Sequence, residues 1–268
     1  MAITHDQSVF TPVEGDDRRH PARRFRVRKV DYAAPIGWLQ KGWDDFYRIP
    51  GLSLLYGLLS VAGCYLMYFY ARESVALMLG LFSGLLLGGP FLAVGLYAAA
   101  REMEAGSPAT IGASLRTIRG AFWRVTLIGL FLMVVYIVWI RMSSILVALH
   151  YQAFRPDTVQ LALSSLDWGT LSVLALYLGI GFLFAGLVFV TTAISLPLIL
   201  DRDCDPVTAV LTSMRAVNEN RGPMLLWAAL ITVSALVALA TAFLGFAVLF
   251  PVLGYATWHS YRDLVENP

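Results

Sequence analysis

Apolar and polar positions along this chain follow a pattern that returns three times. Pro206–Trp227 (PVTAVLTSMRAVNENRGPMLLW) begins at a proline and runs straight into an uncharged stretch. Its apolar residues Val207, Val210, Leu211, Met214 and Val217 keep the spacing of one helix face, which predicts an amphipathic helix. Pro108–Trp123 (PATIGASLRTIRGAFW) repeats the arrangement, with Ile111, Leu115, Ile118 and Phe122 as its stripe. Pro35–Gly51 repeats it more loosely: Ile36, Leu39, Trp43 and Phe46 fall on one side, Lys41, Asp44, Asp45 and Arg48 on the other. Ser107 is placed to cap the second of these helices, with Pro108 in its first turn, and Asp205 to cap the third.

Each amphipathic stretch leads into apolar runs. A bilayer core takes about 20 helical residues to cross. Gly51–Tyr70, Val75–Ala100 and Phe122–Ile140 read as the first three spans. Leu171–Leu200 is a fourth, and at 30 residues it must tilt or protrude. Pro223–Trp258 has 36 residues without a charge and reads as two spans, Met224–Thr241 and Phe243–Trp258, joined by a minimal turn. Gly80, Gly84 and Gly88 form a small-residue series that lets another helix approach. Gly88-Gly89-Pro90 invites a kink. The exits support the division into blocks. PFLAVGLYAAARE and PVLGYATWHSYRD both place a proline, a glycine, an aromatic residue and then an arginine beside an acid, and the fourth span ends PLILDRD. The expected fold is therefore all-α: a polytopic helical membrane protein with six transmembrane helices, built as three repeats of an interfacial helix plus a helix pair. The blocks span about 31–106, 107–204 and 205–268.

Composition agrees. The chain is 58% hydrophobic and 14% charged, with mean hydropathy +0.67, whereas a soluble domain is about one quarter charged. The net charge of +2 is uninformative, but its distribution is not. Six spans would put 17 of the 20 lysines and arginines on the face that holds both chain ends and 3 on the other. That imbalance obeys the positive-inside rule and predicts cytoplasmic N- and C-termini. Residues 1–30 lack apolar periodicity and read as a disordered basic cytoplasmic tail. They have no apolar signal-peptide core, and Asp6, Glu14, Asp16 and Asp17 are unlike a mitochondrial transit peptide. Arg18, Arg19, Arg23, Arg24, Arg26, Arg28 and Lys29 form a basic cluster, which reads first as a plain topogenic signal and alternatively as a lipid-binding segment drawn to anionic lipid by about 1 kcal/mol per group. Trp38 and Trp43 suit the headgroup level. Arg141–Thr170, with His150, Arg155, Asp157 and Asp167, is the longest segment on the far face and the place to look there for a partner surface.

Catalytic chemistry is sparse. The spans carry essentially no ionisable residue, which argues against a proton- or ion-coupled pump. Most of their hydroxyls are expected to bond their own helix or a neighbour. Thr191, Thr192 and Ser195, near Pro197, are the one cluster placed to line a cavity. His5, His20, His150 and His259 are scattered, and Cys64 and Cys204 form neither a disulfide framework nor a metal set. Phosphate-loop, nucleophile-elbow and dinucleotide motifs are missing. These features predict no enzymatic activity, no cofactor and no metal. Without a folded reader beside the basic tail, nucleic acid is not an expected partner either.

Three segments, WLQKGWDDFYRIPGLSLLYGL, GPFLAVGLYAAARE and the closing GYATWHSYRDLV, together resemble domain-of-unknown-function family 2189 of predicted bacterial integral membrane proteins, over about Val30 to Val265. The resemblance implies an inner-membrane protein. Some members are labelled putative cytochrome c oxidase, but a haem-copper subunit needs about six histidines within its spans, and this chain has four, none mid-span. The expected role is contact: organising lipid, or a membrane complex such as a respiratory one, through the interfacial helices and basic tail. The alternative is a passive carrier or lipid-handling transporter with a cavity between the repeats. An intramembrane enzyme ranks last.

Overall fold

The computed structural model describes residues 25–73, 75–154 and 167–266. Arg18, Arg19, Arg23, Arg24, Arg155 and Asp157 lie outside the described residues. Among those described, the regular elements are helices: α1 (Ala34–Arg48), α2 (Pro50–Ala71), α3 (Val75–Leu92), α4 (Val94–Glu104), α5 (Ile111–Gly120), α6 (Phe122–Leu149), α7 (Trp168–Thr192), α8 (Ser195–Asp201), α9 (Pro206–Glu219), α10 (Arg221–Ala240) and α11 (Phe246–Leu264). Among the described residues, four stretches are long and apolar enough to cross a membrane: Pro50–Ala71, Phe122–Leu149, Trp168–Asp201 and Arg221–Ala240.

The predicted runs are cut where the backbone finds other partners. The second run breaks at Ala93, three residues after Pro90, whose missing N–H weakens the preceding turn. The fourth breaks between α7 and α8. There the Ser213 hydroxyl of α9 accepts from Ile194 N at 3.4 Å and donates to Val190 O at 2.9 Å, inserting itself into one rung of the helical ladder. Both breaks deliver a short, mostly apolar segment into the interior: Val94–Ala100 and Ser195–Leu200 are buried throughout. Two boundaries also move, and a third stays where expected. Thr110 rather than Ser107 caps α5, accepting from Ala113 N at 3.1 Å, so the helix starts at Ile111. α6 runs on to Leu149, past the expected end of the third span at Ile140. Asp205 caps α9 as expected, accepting from Thr208 N at 2.8 Å.

Helix α11 is the centre of the packing, lying against α1, α2 and α4. Gly57 brings α2 to the backbone of α11 at Ala247, closer than any side chain would permit. Gly84 of α3 takes the Tyr136 ring of α6, so this part of the glycine series packs within one chain. The turn between α10 and α11 is short, with Ala242 and Phe243 at φ 51° and 69°. Such a backbone is costly for non-glycine residues. Tyr65 Oη, donating to Ala242 O at 2.9 Å, and the Thr241 hydroxyl, accepting from Gly245 N at 2.9 Å, hold it in place.

The largest buried side chains gather at one end of the molecule, and from there a narrower buried seam, Val125, Ile128, Leu132, Val135 and Trp139, runs along α6. Trp38, Trp227, Trp258, Tyr255 and Tyr261 are fully buried where the ends of α4, α8 and α11 meet α1 and α10. In contrast, only 11–28% of the most apolar window of each of the four long helices is buried. The amphipathic helices are turned the same way. α5 packs Ala113 and Ser114 inward and leaves Ile111, Leu115 and Phe122 exposed. α9 packs Ala209, Thr212, Ser213 and Ala216 inward and exposes Val207, Leu211 and Met214. α1 buries Trp38, Gly42, Asp45 and Phe46 and exposes Ile36, Trp43 and Tyr47. The apolar stripes that identify α5 and α9 in the sequence thus face outward, and small residues make the protein contacts.

Candidate functional site

Three helix ends carry charge into one place. Glu104 and Arg101 come from α4, Asp201 from α8, Arg262 and Asp263 from α11. Arg262 Nε donates to Glu104 Oε1 at 2.9 Å, and its Nη1 lies 3.3 Å from Asp201 Oδ2. Asp201 also faces Arg101 at 3.5 Å and Arg202 at 3.2 Å, and accepts from Tyr261 Oη at 2.5 Å. Two indoles close the hub: Trp258 Nε1 donates to Glu104 Oε2 at 2.9 Å, and Trp38 Nε1 to Asp263 Oδ2 at 2.8 Å. Lys41 approaches the same Asp263 oxygen at 3.5 Å. Burial opposes the charge on Arg262, yet Glu104 and Asp201 outweigh it and hold its pKa above the ordinary value. Burial, and then Asp201, push the Tyr261 hydroxyl up. Each carboxylate is matched by a donor or cation, so the hub is suited to locking three helices together.

A second buried pair lies beside it. His259 Nε2 donates to Asp45 Oδ2 at 2.7 Å, joining α11 to α1, and the hydroxyls of Ser53 and Tyr255 meet at 2.9 Å. Next to the hub, α4, α5, α6 and α8 line an open cavity of about 280 Å³, with Arg101, Arg116, Arg124 and Arg202 beside Asp201 and Asp203. Cys204 at its edge is buried. Burial, with help from Asp205 and against the pull of Arg124 and Arg202, pushes its thiol up to about 11, so at neutral pH it is protonated and a poor nucleophile. Among the described residues no group of three or more histidine, cysteine or acidic side chains could hold a metal. At the opposite end, between α6 and α7, a cavity of about 390 Å³ is lined by His150, Tyr151 and Gly169.

The residues expected to touch lipid divide. Trp43 is partly exposed and stacks on Tyr47. Trp38 is fully buried, edge-on to Trp227 at 5.7 Å, and corrects the expectation that it lies at the headgroups; its indole N–H finds a carboxylate instead of a phosphate. The expected tail boundary also moves. From Phe25 onward the chain is a strap: Val27 pairs with Val265, Arg28 N donates to Leu264 O at 2.8 Å, and Glu266 N to Arg26 O at 3.1 Å. Asn220 accepts from Val30 N at 2.9 Å and donates to Arg28 O at 3.1 Å. The side chains of Arg26, Arg28 and Lys29 nonetheless remain exposed.

Thr191, Thr192 and Ser195 are all buried. Thr191 and Thr192 donate to Leu187 O and Val188 O of their own helix, each at 2.7 Å, while Ser195 Oγ has no partner among the described residues. None of the three lines either cavity. Sequence reasoning missed the hub because its members lie far apart in the chain. The signal was present in the shared Pro-to-Arg spacing: Arg101 and Arg262 each follow a proline, Pro90 and Pro251, by eleven residues.

Residues 77–201, from α3 to the end of α8, match the family model described as "Predicted integral membrane protein (DUF2189)". The GPFLAVGLYAAARE segment lies inside the match; WLQKGWDDFYRIPGLSLLYGL and GYATWHSYRDLV lie outside it. Comparison with the curated proteins and with the solved structures found no match.

Proposed function

From the premise that residues 77–201 are those of a family of predicted integral membrane proteins, we propose that the protein is a non-enzymatic, multi-pass component of a bacterial inner membrane that works by contact. Its interfacial helices and basic N-terminal segment organise anionic lipid, or a membrane complex such as a respiratory one, on the cytoplasmic face. The observation that carries this is the outward direction of Ile111 and Leu115 on α5 and of Val207, Leu211 and Met214 on α9. A stripe left unpacked by protein, on helices whose polar and small residues face the core, has its natural partner in the acyl boundary just below the headgroups. Phe122 and Trp123 are exposed at the start of α6 and sit at the depth where amphipathic rings anchor.

In this proposal α2, α3, α6, α7, α10 and α11 make six crossings in three blocks. The packing supports it: each interfacial helix rests on the second helix of another block, α5 on α4, α9 on α7 and α8, and α1 on α11. The carrier alternative has less to rest on, because Thr191 and Thr192 bond their own helix.

The test is purification in mild detergent with identification of the lipids and proteins retained. The wild type is compared with a variant carrying Ile111→Asn, Leu115→Asn, Val207→Asn and Leu211→Asn. All four side chains are exposed, so the fold should survive. We expect the variant to lose retained anionic lipid and any co-purifying membrane protein. An unchanged set would remove the contact role.

A further inference from the structure

The cavity beside the hub has more positive charge than its own acids can use. Arg101 and Arg202 are engaged by Asp201, which Arg262 also approaches. Arg124 pairs through Nη1 with Asp203, yet its Nε is buried and has no partner among the described residues. Arg116 lines the cavity with no hydrogen bond or ion pair among those residues. Asp203 is 94% exposed and can turn outward to water at little cost. Thr117, also in the lining, already donates to Glu102 at 2.8 Å. What is left over is the Arg116 guanidinium fork and the buried Arg124 N–H, both from residues that line a space of about 280 Å³.

Guanidinium groups match the tetrahedral oxygens of phosphate with paired, charge-assisted hydrogen bonds. The height of the cavity fits as well. It is bounded by α5 and by the first turn of α6, the elements that expose Leu115, Phe122 and Trp123 outward. On the contact model proposed above, which this inference rests on, that is the level of lipid headgroups. We propose that this cavity binds a phosphate group between Arg116 and Arg124, presented either by an anionic phospholipid or as the free ion.

The test uses the full chain in mild detergent, titrated in one arm with short-chain phosphatidylglycerol and in the other with inorganic phosphate. Binding is read by native mass spectrometry and by the shift in thermal midpoint. Arg116→Gln should weaken binding about tenfold, the loss of one charge-assisted pair. Arg119→Gln, one turn away and outside the lining, is the control for general positive charge and should leave affinity unchanged. Arg116 is exposed and unpartnered, so far-UV circular dichroism should match the wild type for both variants. An Arg116-dependent response to phosphatidylglycerol alone identifies a lipid headgroup, and one to phosphate in both arms identifies a general phosphate site. Equal effects of the two substitutions, or binding in neither arm, would overturn the proposal. Neither result depends on the stripe variant, so the contact role can fail while this site stands.

Discussion

Asn220 holds the N-terminal strap with a single side chain. Its amide accepts from Val30 N and donates to both Arg28 O and Ala216 O, and it is 4% exposed. Asn220→Ala would leave partly buried backbone groups without partners, each worth about 1–3 kcal/mol. We expect residues 25–30 to detach while the helices remain, seen as faster amide exchange at Val30 and early proteolysis there. Unchanged exchange at Val30 would mean the strap is held elsewhere. Asp205 offers a pH test. The hydrogen bonds from Thr208 hold its carboxyl below the ordinary 3.8. Its contribution is therefore complete above that value and disappears as pH falls through the lower, folded-state value. Asn is an equally good cap without the charge, so Asp205→Asn should match the wild type near pH 7. The difference in thermal midpoint between the two proteins should open only below about pH 4, where the protonated wild type falls below the variant. Both residues also mark the limits of sequence legibility. Asp205 is readable as a cap because its partners are local. Asn220 is not, because Val30 lies 190 positions away. Trp38 and Trp43 make the same point: five residues apart and alike in composition, one is core and one is surface, and only the position of α11 decides which.

At the scale of elements, the sequence signals were sound for the apolar runs and silent about their breaks. Pro90 and Pro197 were visible, but a proline alone does not say whether a helix bends, ends or continues, and α11 continues through Pro251. The decision at α7–α8 is made by a hydroxyl from a different helix. Ser213 bridges Ile194 N and Val190 O, so the backbone can part there without stranding either group. Ser213→Ala should remove that bridge at a cost of about 1–3 kcal/mol, the penalty for buried unpaired donors and acceptors. The expected readout is a lower thermal midpoint with helix content unchanged. Ser213→Thr, which restores the hydroxyl, should recover part of it. A neutral Ser213→Ala would mean that water or direct helical bonding replaces the bridge. Stripe direction was equally hidden. Periodicity locates the apolar face of α5 and α9, but it cannot say whether protein or lipid covers that face. Small residues on the opposite face, Ala113 and Ser114 or Ala209 and Ala216, are the clue that was available.

For the whole molecule, the tied ends limit the number of crossings. Val27 is bridged to Val265, so both ends of the described chain lie on one side, and the crossings between them must be even in number. Four helices satisfy the length and hydropathy of a span, and four is even, so parity alone does not choose between four and six. The hub favours six. Lys41 at the approach to α2 reaches Asp263, α4 ends there with Glu104, and Arg124 at the start of α6 pairs with Asp203. Further along, α8 ends there with Asp201, and Asn220 at the start of α10 holds the strap that pairs with the end of α11. Helix pairs that leave this end and return to it support the proposal that α3 and α11 travel the membrane as well. Cysteines introduced by Glu73→Cys and Leu244→Cys, both exposed at the turns farthest from the hub, should react with an impermeant thiol reagent from outside intact cells. Ala105→Cys and Glu266→Cys should react only after the membrane is opened. The native thiols Cys64 and Cys204 are buried and should give little background. If Leu244→Cys and Glu266→Cys became labelled from the same side, α11 would not cross and the three-block arrangement would fail. The interfacial level assigned to the arginine-lined cavity rests on the same geometry, so this labelling pattern should be established before the lipid arm of the phosphate titration is interpreted.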